Sequence, residues 1–292
     1  TKYGLTTSQR VYGTVMENRE GKGPCYLRTE GISKEQEQDL YKAYLNMAPS
    51  QTLKWMEAGK GPSEENVEIE GTEPYIVGGH TASGYWVDNN RATTIEGLYA
   101  AGDVAGGCPQ KYVTGALAEG EIAAEAILEY LNGKDDDRIA AENKEGEQEL
   151  SQTAIAKKAE YESHLNASRS LMNAEQLEEA MQKIMDQYAG GIGTDYRYSG
   201  MSLAKADEKI AALLPVVDTL AATDTYELMQ IYELRERLIV CQAVIAHLAA
   251  RKETRWHSFG ENTDYPQQSE EWMKYVNSRM ENGEIKILYR DL

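Results

Sequence analysis

The spacing of apolar residues changes along the chain, and each change predicts a different element. After the charged run Ser33-Lys34-Glu35-Gln36-Glu37, the residues Leu40, Tyr41, Tyr44 and Leu45 recur at helical spacing, which predicts a helix with Ser33 as its N-cap. Ahead of it, Arg19-Glu20-Gly21-Lys22-Gly23-Pro24 reads as a turn and Cys25-Tyr26-Leu27 as a short strand. Between Gly71 and Asn132 short β-like runs alternate with glycine: Tyr75-Ile76-Val77, Tyr85-Trp86-Val87 and Gly97-Leu98-Tyr99-Ala100-Ala101. The last of these has the pattern of a buried strand ending at Gly102-Asp103, and alanine-rich helix is predicted from Ala116 to Leu131. Strand, glycine turn and helix in that order predict an α/β nucleotide-binding layer.

Further on, the period is helical almost throughout. Leu177, Met181, Ile184, Met185 and Tyr188 fall on one stripe, and Leu228, Ile231, Leu234, Leu238, Ile245 and Leu248 on others, describing a small antiparallel helical domain. Gly190-Gly191-Ile192-Gly193 and Pro215 punctuate it, and Asn282-Gly283 between apolar residues predicts a terminal hairpin. The acids from Lys134 to Leu150 read as a solvated linker or an exposed helix face, and a domain boundary is placed there.

Composition narrows the function. Hydrophobic residues make up 41% of the 292-residue chain, enough for a core in one large or two ordinary domains. The net charge of −18 disfavours nucleic acid and anionic membrane surfaces as partners. No stretch approaches the roughly 20 apolar residues of a membrane span, and Thr1 to Arg10 lacks the apolar core of a signal peptide, so a cytoplasmic protein is expected. Cys25, Cys108 and Cys241 are too far apart for a disulfide framework or a metal site. A Walker lysine motif, HExxH and GxSxG do not occur, Gly191-Ile192-Gly193 reads as a loop, and Asn166-Ala167-Ser168 as a chance match to a glycosylation site.

Two glycine-rich segments carry candidate chemistry. In Gly78-Gly79-His80-Thr81-Ala82-Ser83-Gly84, glycines let the backbone approach a ligand, and His80 can donate a hydrogen bond or charge to an anionic group; a plain turn with a solvent-facing histidine is the alternative. In the second, an apolar run ends in Gly102-Asp103 and a helix starts near Gly115-Ala116-Leu117. An acid at the end of a strand accepts from ribityl or ribose hydroxyls, and a helix N-terminus offers N–H groups to an anion or an electron-rich ring edge; a capped strand-to-helix turn is the alternative.

The run Gly97 to Asp103, with the His80 loop before it and the Gly115-Ala116-Leu117 helix start after it, resembles the flavoprotein subunits of succinate dehydrogenase and fumarate reductase. The turn at Arg19 to Pro24 resembles that family's capping domain, and Leu234 to Arg255 its long closing helix. His257, Asp264-Tyr265-Pro266 and Trp272-Met273-Lys274-Tyr275-Val276 resemble most the adenylylsulfate reductase α subunits of the same superfamily. The resemblance implies an α/β plus α fold: residues 1–70 end a capping domain, 71–134 form the C-terminal part of a Rossmann-like FAD-binding domain, 135–256 a helical bundle, and 257–292 a C-terminal extension. It also implies FAD, with Asp103 accepting from the ribityl chain and Gly102, Gly115, Ala116 and Leu117 close to the flavin.

By the same resemblance His80 is catalytic and binds a small anionic substrate with Thr81 and Lys111, and Arg251 and Arg255 are candidates for the active site, each with a structural alternative such as pairing with Glu253. The implied reaction takes adenylyl sulfate to AMP and sulfite through flavin N5, with electrons from an iron–sulfur β subunit, since this chain has no cysteine cluster of its own. A dicarboxylate enzyme of the fumarate type is the rival. Thr81 replaces its tyrosine and Lys111 its arginine, and lysine lacks the planar two-point grip of arginine on a carboxylate. The GxGxxG turn that holds the FAD pyrophosphate in these enzymes is not in the sequence, nor is a starting methionine. The expectation is therefore the carboxyl-terminal part of an enzyme, or an inert fragment that binds only its missing half or a partner subunit.

Overall fold

Residues 7–69, 84–107, 113–134, 136–168, 171–255 and 260–291 are described by the computed structural model. They fall into two units, one built on 7–69 and the other on 84–255 with 260–291.

In the first unit, helix α1 (Thr7–Arg19) leads through the predicted turn into strand β1 (Cys25–Leu27). Helix α2 (Lys34–Met47) starts where the sequence places it, because Ser33 accepts from Gln36 N–H while the Gln36 side chain returns a bond to the cap. Helix α3 (Pro49–Ala58) begins on Pro49 and stops at Gly59 in the left-handed region. Trp55 of α3 is buried edge-on between Tyr41 and Tyr44 of α2, with ring centroids 5.0 Å apart in both pairs. Strand β2 (Val67–Ile69) closes an antiparallel pair with β1.

The second unit opens with a looped segment and a 3-10 turn at Gly102–Val104, followed by helices α4 (Val113–Asn132), α5 (Asp136–Asn166) and α6 (Ala174–Tyr188). Strand β3 (Arg197–Tyr198), helix α7 (Gly200–Val217) and helix α8 (Thr225–Ala250) come next, then β4 (Glu261–Asn262), which runs parallel to β3. Strands β5 (Lys274–Glu281) and β6 (Glu284–Asp291) form the predicted hairpin, with Asn282 and Gly283 both at positive φ as its two-residue turn requires. The helical core contains the foreseen stripes of α6 and α8 and adds α7 to them: Leu177 and Met181 of α6 pack with Leu203 and Ile210 of α7 and with Ile231, Leu234, Leu238 and Ile245 of α8. At the end of α5, buried His164 lies with Nδ1 2.7 Å from the Leu220 carbonyl oxygen, and its own carbonyl accepts from Ala222 N–H.

One expectation needs correction. Gly97 to Asp103 does not form a strand; an isolated bridge joins Ala92 to Tyr99, Ala100 N–H bonds the Arg91 carbonyl, and the 3-10 turn follows at once. Gly97 and Gly102 both have positive φ, which bends the run at each end, so its apolar content reflects packing against α4 instead of a sheet. Of the two readings of the acidic stretch from Lys134 to Leu150, the helix face is the one found from residue 136 onward, where the 31-residue α5 runs through it. The run Tyr75-Ile76-Val77 lies outside the described residues. Among those residues each sheet is two-stranded, and no helix is long and apolar enough to cross a membrane.

Candidate functional site

The site is built where the looped segment meets the first half of α4. Tyr85 N–H donates to the Val104 carbonyl at 2.7 Å and Gly106 N–H to the Tyr85 carbonyl at 2.8 Å, a parallel bridge that sets residues 84–85 beside 104–106. Only glycine fits at position 84: a Cβ there would lie 2.6 Å from backbone atoms of Val104, Ala105 and Gly106. The end of the glycine-rich His80 segment is thereby held against the residues that follow Asp103. His80, Thr81 and Lys111 themselves lie outside the described residues.

Gly102 is the joint between this loop and the helix. Its φ of 72° suits glycine, and a Cβ on it would stand 3.1 Å from the Ala116 Cβ, so the loop backbone rests on the first turns of α4. Asp103 follows in the 3-10 turn with its side chain exposed. Helix α4 begins at Val113, which puts Gly115 in the first turn and Leu117 at the start of the second; the amides that a terminus leaves unpaired are those of the first turn. Gly115 and Ala116 are half-buried, while Val104, Val113 and Leu117 leave large apolar side chains exposed around the same corner.

Two polar residues of this corner were not foreseen from the sequence. Glu119 of α4 is 4% exposed, and its Oε2 accepts from Gly102 N–H at 3.0 Å. Its Oε1 faces Arg91 Nε at 3.8 Å, and both atoms are buried with no hydrogen-bond partner among the described residues. A signal did exist: Glu119 shares the helical phase of Ala116, Ala123 and Ala126, an acid on a stripe of alanines, whereas Glu121, Glu125 and Glu129 lie off that stripe and are exposed.

Arg251 and Arg255, the candidate active-site arginines, converge on one carboxylate at the end of α8. Glu253 is 1% exposed; its Oε1 accepts from Arg251 Nη1 (2.7 Å) and Arg255 Nε (2.8 Å), its Oε2 from Arg255 Nη2 (2.9 Å) and Ser269 N–H (3.0 Å). The arginines also donate into the C-terminal segment, Arg251 to the carbonyls of Trp272 and Lys274, Arg255 to the Ser269 carbonyl and the Met273 sulfur. Burial by itself would raise the Glu253 pKa, but the bonds from Arg255, Ser269 and Arg251 outweigh it and hold the carboxyl below the usual carboxylate range. Among the described residues no group of His, Cys, Asp and Glu is placed to hold a metal ion.

The chain as a whole is similar to known proteins. The chain is 29% identical to the adenylylsulfate reductase subunit alpha of Megalodesulfovibrio gigas, over 94% of this chain and 47% of that one. A crystal structure of adenylylsulfate reductase from Archaeoglobus fulgidus superposes over 100% of the chain with a TM-score of 0.74 at 28% identity. The chain is homologous to the adenylylsulfate reductase α subunit. A second adenylylsulfate reductase structure, in covalent complex with sulfite, matches equally well. An uncharacterized FAD-dependent oxidoreductase of Methanocaldococcus jannaschii is 25% identical over 91% of the chain and 44% of its own length. Quinol fumarate reductase of E. coli shares the fold, with a TM-score of 0.62 at 19% identity. No family model matches the chain. The chain spans about half the length of the adenylylsulfate reductase and oxidoreductase relatives it matches, and over that length it has the flavoprotein fold, helix-rich with small sheets.

Proposed function

We propose that the chain is the C-terminal portion of an FAD-dependent flavoprotein subunit that reduces adenylyl sulfate to AMP and sulfite. The observation that carries this reading is the likeness to adenylylsulfate reductases at 28% identity over the full chain, one of them solved with sulfite bound covalently. In this reading 1–70 is the end of a capping domain, 71–134 belongs to the FAD-binding domain, 135–256 is the helical domain and 257–292 a C-terminal extension. The protein would act in the cytoplasm.

FAD fits the corner described above on three counts. Gly102 brings the loop backbone onto Ala116 where no side chain could intervene. Asp103 presents a carboxylate there, suited to accept from ribityl hydroxyls. The first turn of α4, which contains Gly115, lies at a helix N-terminus, whose N–H groups favour negative charge on a ring edge. When bound, FAD supplies two-electron redox chemistry. The chain's own share is to orient the cofactor through Asp103, Gly115, Ala116 and Leu117, and to hold the anionic substrate through His80, Thr81 and Lys111. Arg251 and Arg255 serve this site by fixing the C-terminal segment through Glu253. Electrons would come from a partner subunit carrying iron–sulfur clusters.

The test is the flavin absorbance of the protein purified from its host, followed by turnover with a reduced dye. Release of AMP and sulfite from adenylyl sulfate is the expected result. Reduction of fumarate in its place would transfer the chain to the dicarboxylate enzymes, and a protein without flavin would leave the binding of another chain as its activity.

A further inference from the structure

We propose that Glu119 is a positioning residue for the flavin site, with Arg91 as its counter-charge; the proposal rests on the FAD reading above. The two parts of the chain assigned to FAD, the Gly102-Asp103 turn and the start of α4, are separate elements joined by residues 104–112 and must be held in one relative placement. Glu119 joins them directly. It grows from α4 one turn beyond Ala116 and accepts the Gly102 N–H at 3.0 Å, the amide immediately before Asp103. Gly102 itself adopts φ 72° and closes the 3-10 turn by accepting from Ala105 N–H at 3.0 Å, so fixing its N–H fixes the direction in which Asp103 projects.

A carboxylate buried to this degree needs an opposite charge, and Arg91 provides it at 3.8 Å. Arg91 is held for that task by its backbone. It sits at φ 66° in a tight turn whose N–H bonds the Asp88 carbonyl and whose carbonyl accepts from Ala100 N–H at 3.0 Å. Only one oxygen of Glu119 is committed to the loop. The second, Oε1, and Arg91 Nε face each other buried and without hydrogen bonds, an arrangement that stability alone would not favour. The pair therefore holds the loop through charge, and the hydrogen bond to Gly102 is its point of action on the cofactor side.

The test uses the protein expressed in its host as parent, Glu119→Gln and Glu119→Ala. Glutamine still offers a carbonyl oxygen to Gly102; alanine offers nothing. Three quantities are read: hydrogen exchange at the Gly102 amide in flavin-free protein, FAD affinity by flavin fluorescence, and thermal unfolding. Glu119→Ala is expected to speed exchange at Gly102 and weaken FAD binding by roughly tenfold or more each, the scale of a lost bond to a charged acceptor. Glu119→Gln, which keeps the acceptor for Gly102 but removes the charge facing Arg91, should stay within about threefold of the parent on both while melting at a lower temperature. Alanine-variant protein that melts like the parent and retains FAD within about twofold would overturn the proposal. A parent that binds FAD but shows an unresponsive Gly102 amide sinks the latch alone, whereas a parent that binds no FAD sinks the flavin reading beneath it.

Discussion

At the scale of single residues, Gly102, Asp103 and His80 are expected to fail in different ways. Gly102→Ala must place a Cβ at positive φ and 3.1 Å from that of Ala116, so it should destabilise the second unit by about 1–2 kcal/mol in urea titrations and lower flavin retention with it. Asp103→Ala should lower flavin occupancy by more than any change in stability accounts for, because its side chain is exposed; full occupancy would count against the ribityl assignment. His80→Ala should abolish turnover with flavin content unchanged, and flavin lost along with activity would mean that the histidine is structural. The turn that carries Asp103 was legible in the sequence because glycine precedes it at the end of an apolar run. Glu119 was not, because acids at 119, 121, 125 and 129 look alike until the helical phase is known and only one of them proves to be buried.

At the scale of elements, legibility followed how local the deciding contact is. The stripe Leu177 to Tyr188 on α6 finds its cover in α7 and α8, and the Asn282-Gly283 turn sets its own hairpin, so both appear as the pattern predicts. On α4 the same kind of pattern leaves Leu117 and Leu128 exposed, since periodicity marks a face as apolar without saying what lies over it. Glu253 shows what an element owes to a buried charge. Its two arginines tie the end of α8 to Ser269, Trp272 and Lys274, and Arg255 makes two parallel bonds to the carboxylate that a lysine cannot copy. Arg255→Lys is therefore expected to destabilise the C-terminal segment by about 1–2 kcal/mol, read as faster amide exchange in β5 and β6. The acid dependence has a definite sign. The folded-state pKa of Glu253 is held below its unfolded value, so its stabilisation is present above about pH 4.3 and is lost as pH falls through the folded value. Glu253→Gln should lower stability near neutral pH and flatten the acid limb of the stability curve; an acid limb as steep as the parent's would count against Glu253 as its source.

At the scale of the whole molecule, length and composition suggested one large or two ordinary domains, and the packing gives two units of very unequal core. The second buries Leu177, Leu203, Ile210, Val217, Leu220, Ile231 and Leu238 almost completely, whereas among its described residues the first buries the apolar side chains of Trp55, Pro62 and Val67. Burial stabilises by about 25 cal/mol per Å² of apolar surface, and small units cover a smaller fraction of theirs, so the first unit should be the weaker. The tryptophans report the two units separately, since Trp55 lies in the first and Trp86 and Trp272 in the second. In a protein carrying Trp86→Phe, Trp256→Phe and Trp272→Phe, the fluorescence of Trp55 should change at a lower urea concentration, and with a shallower slope, than the far-ultraviolet signal dominated by α5 to α8. Coincident transitions would mean that the two units unfold as one cooperative body, and the stability of the flavin corner would then depend on α2 and α3 as much as on the helical core.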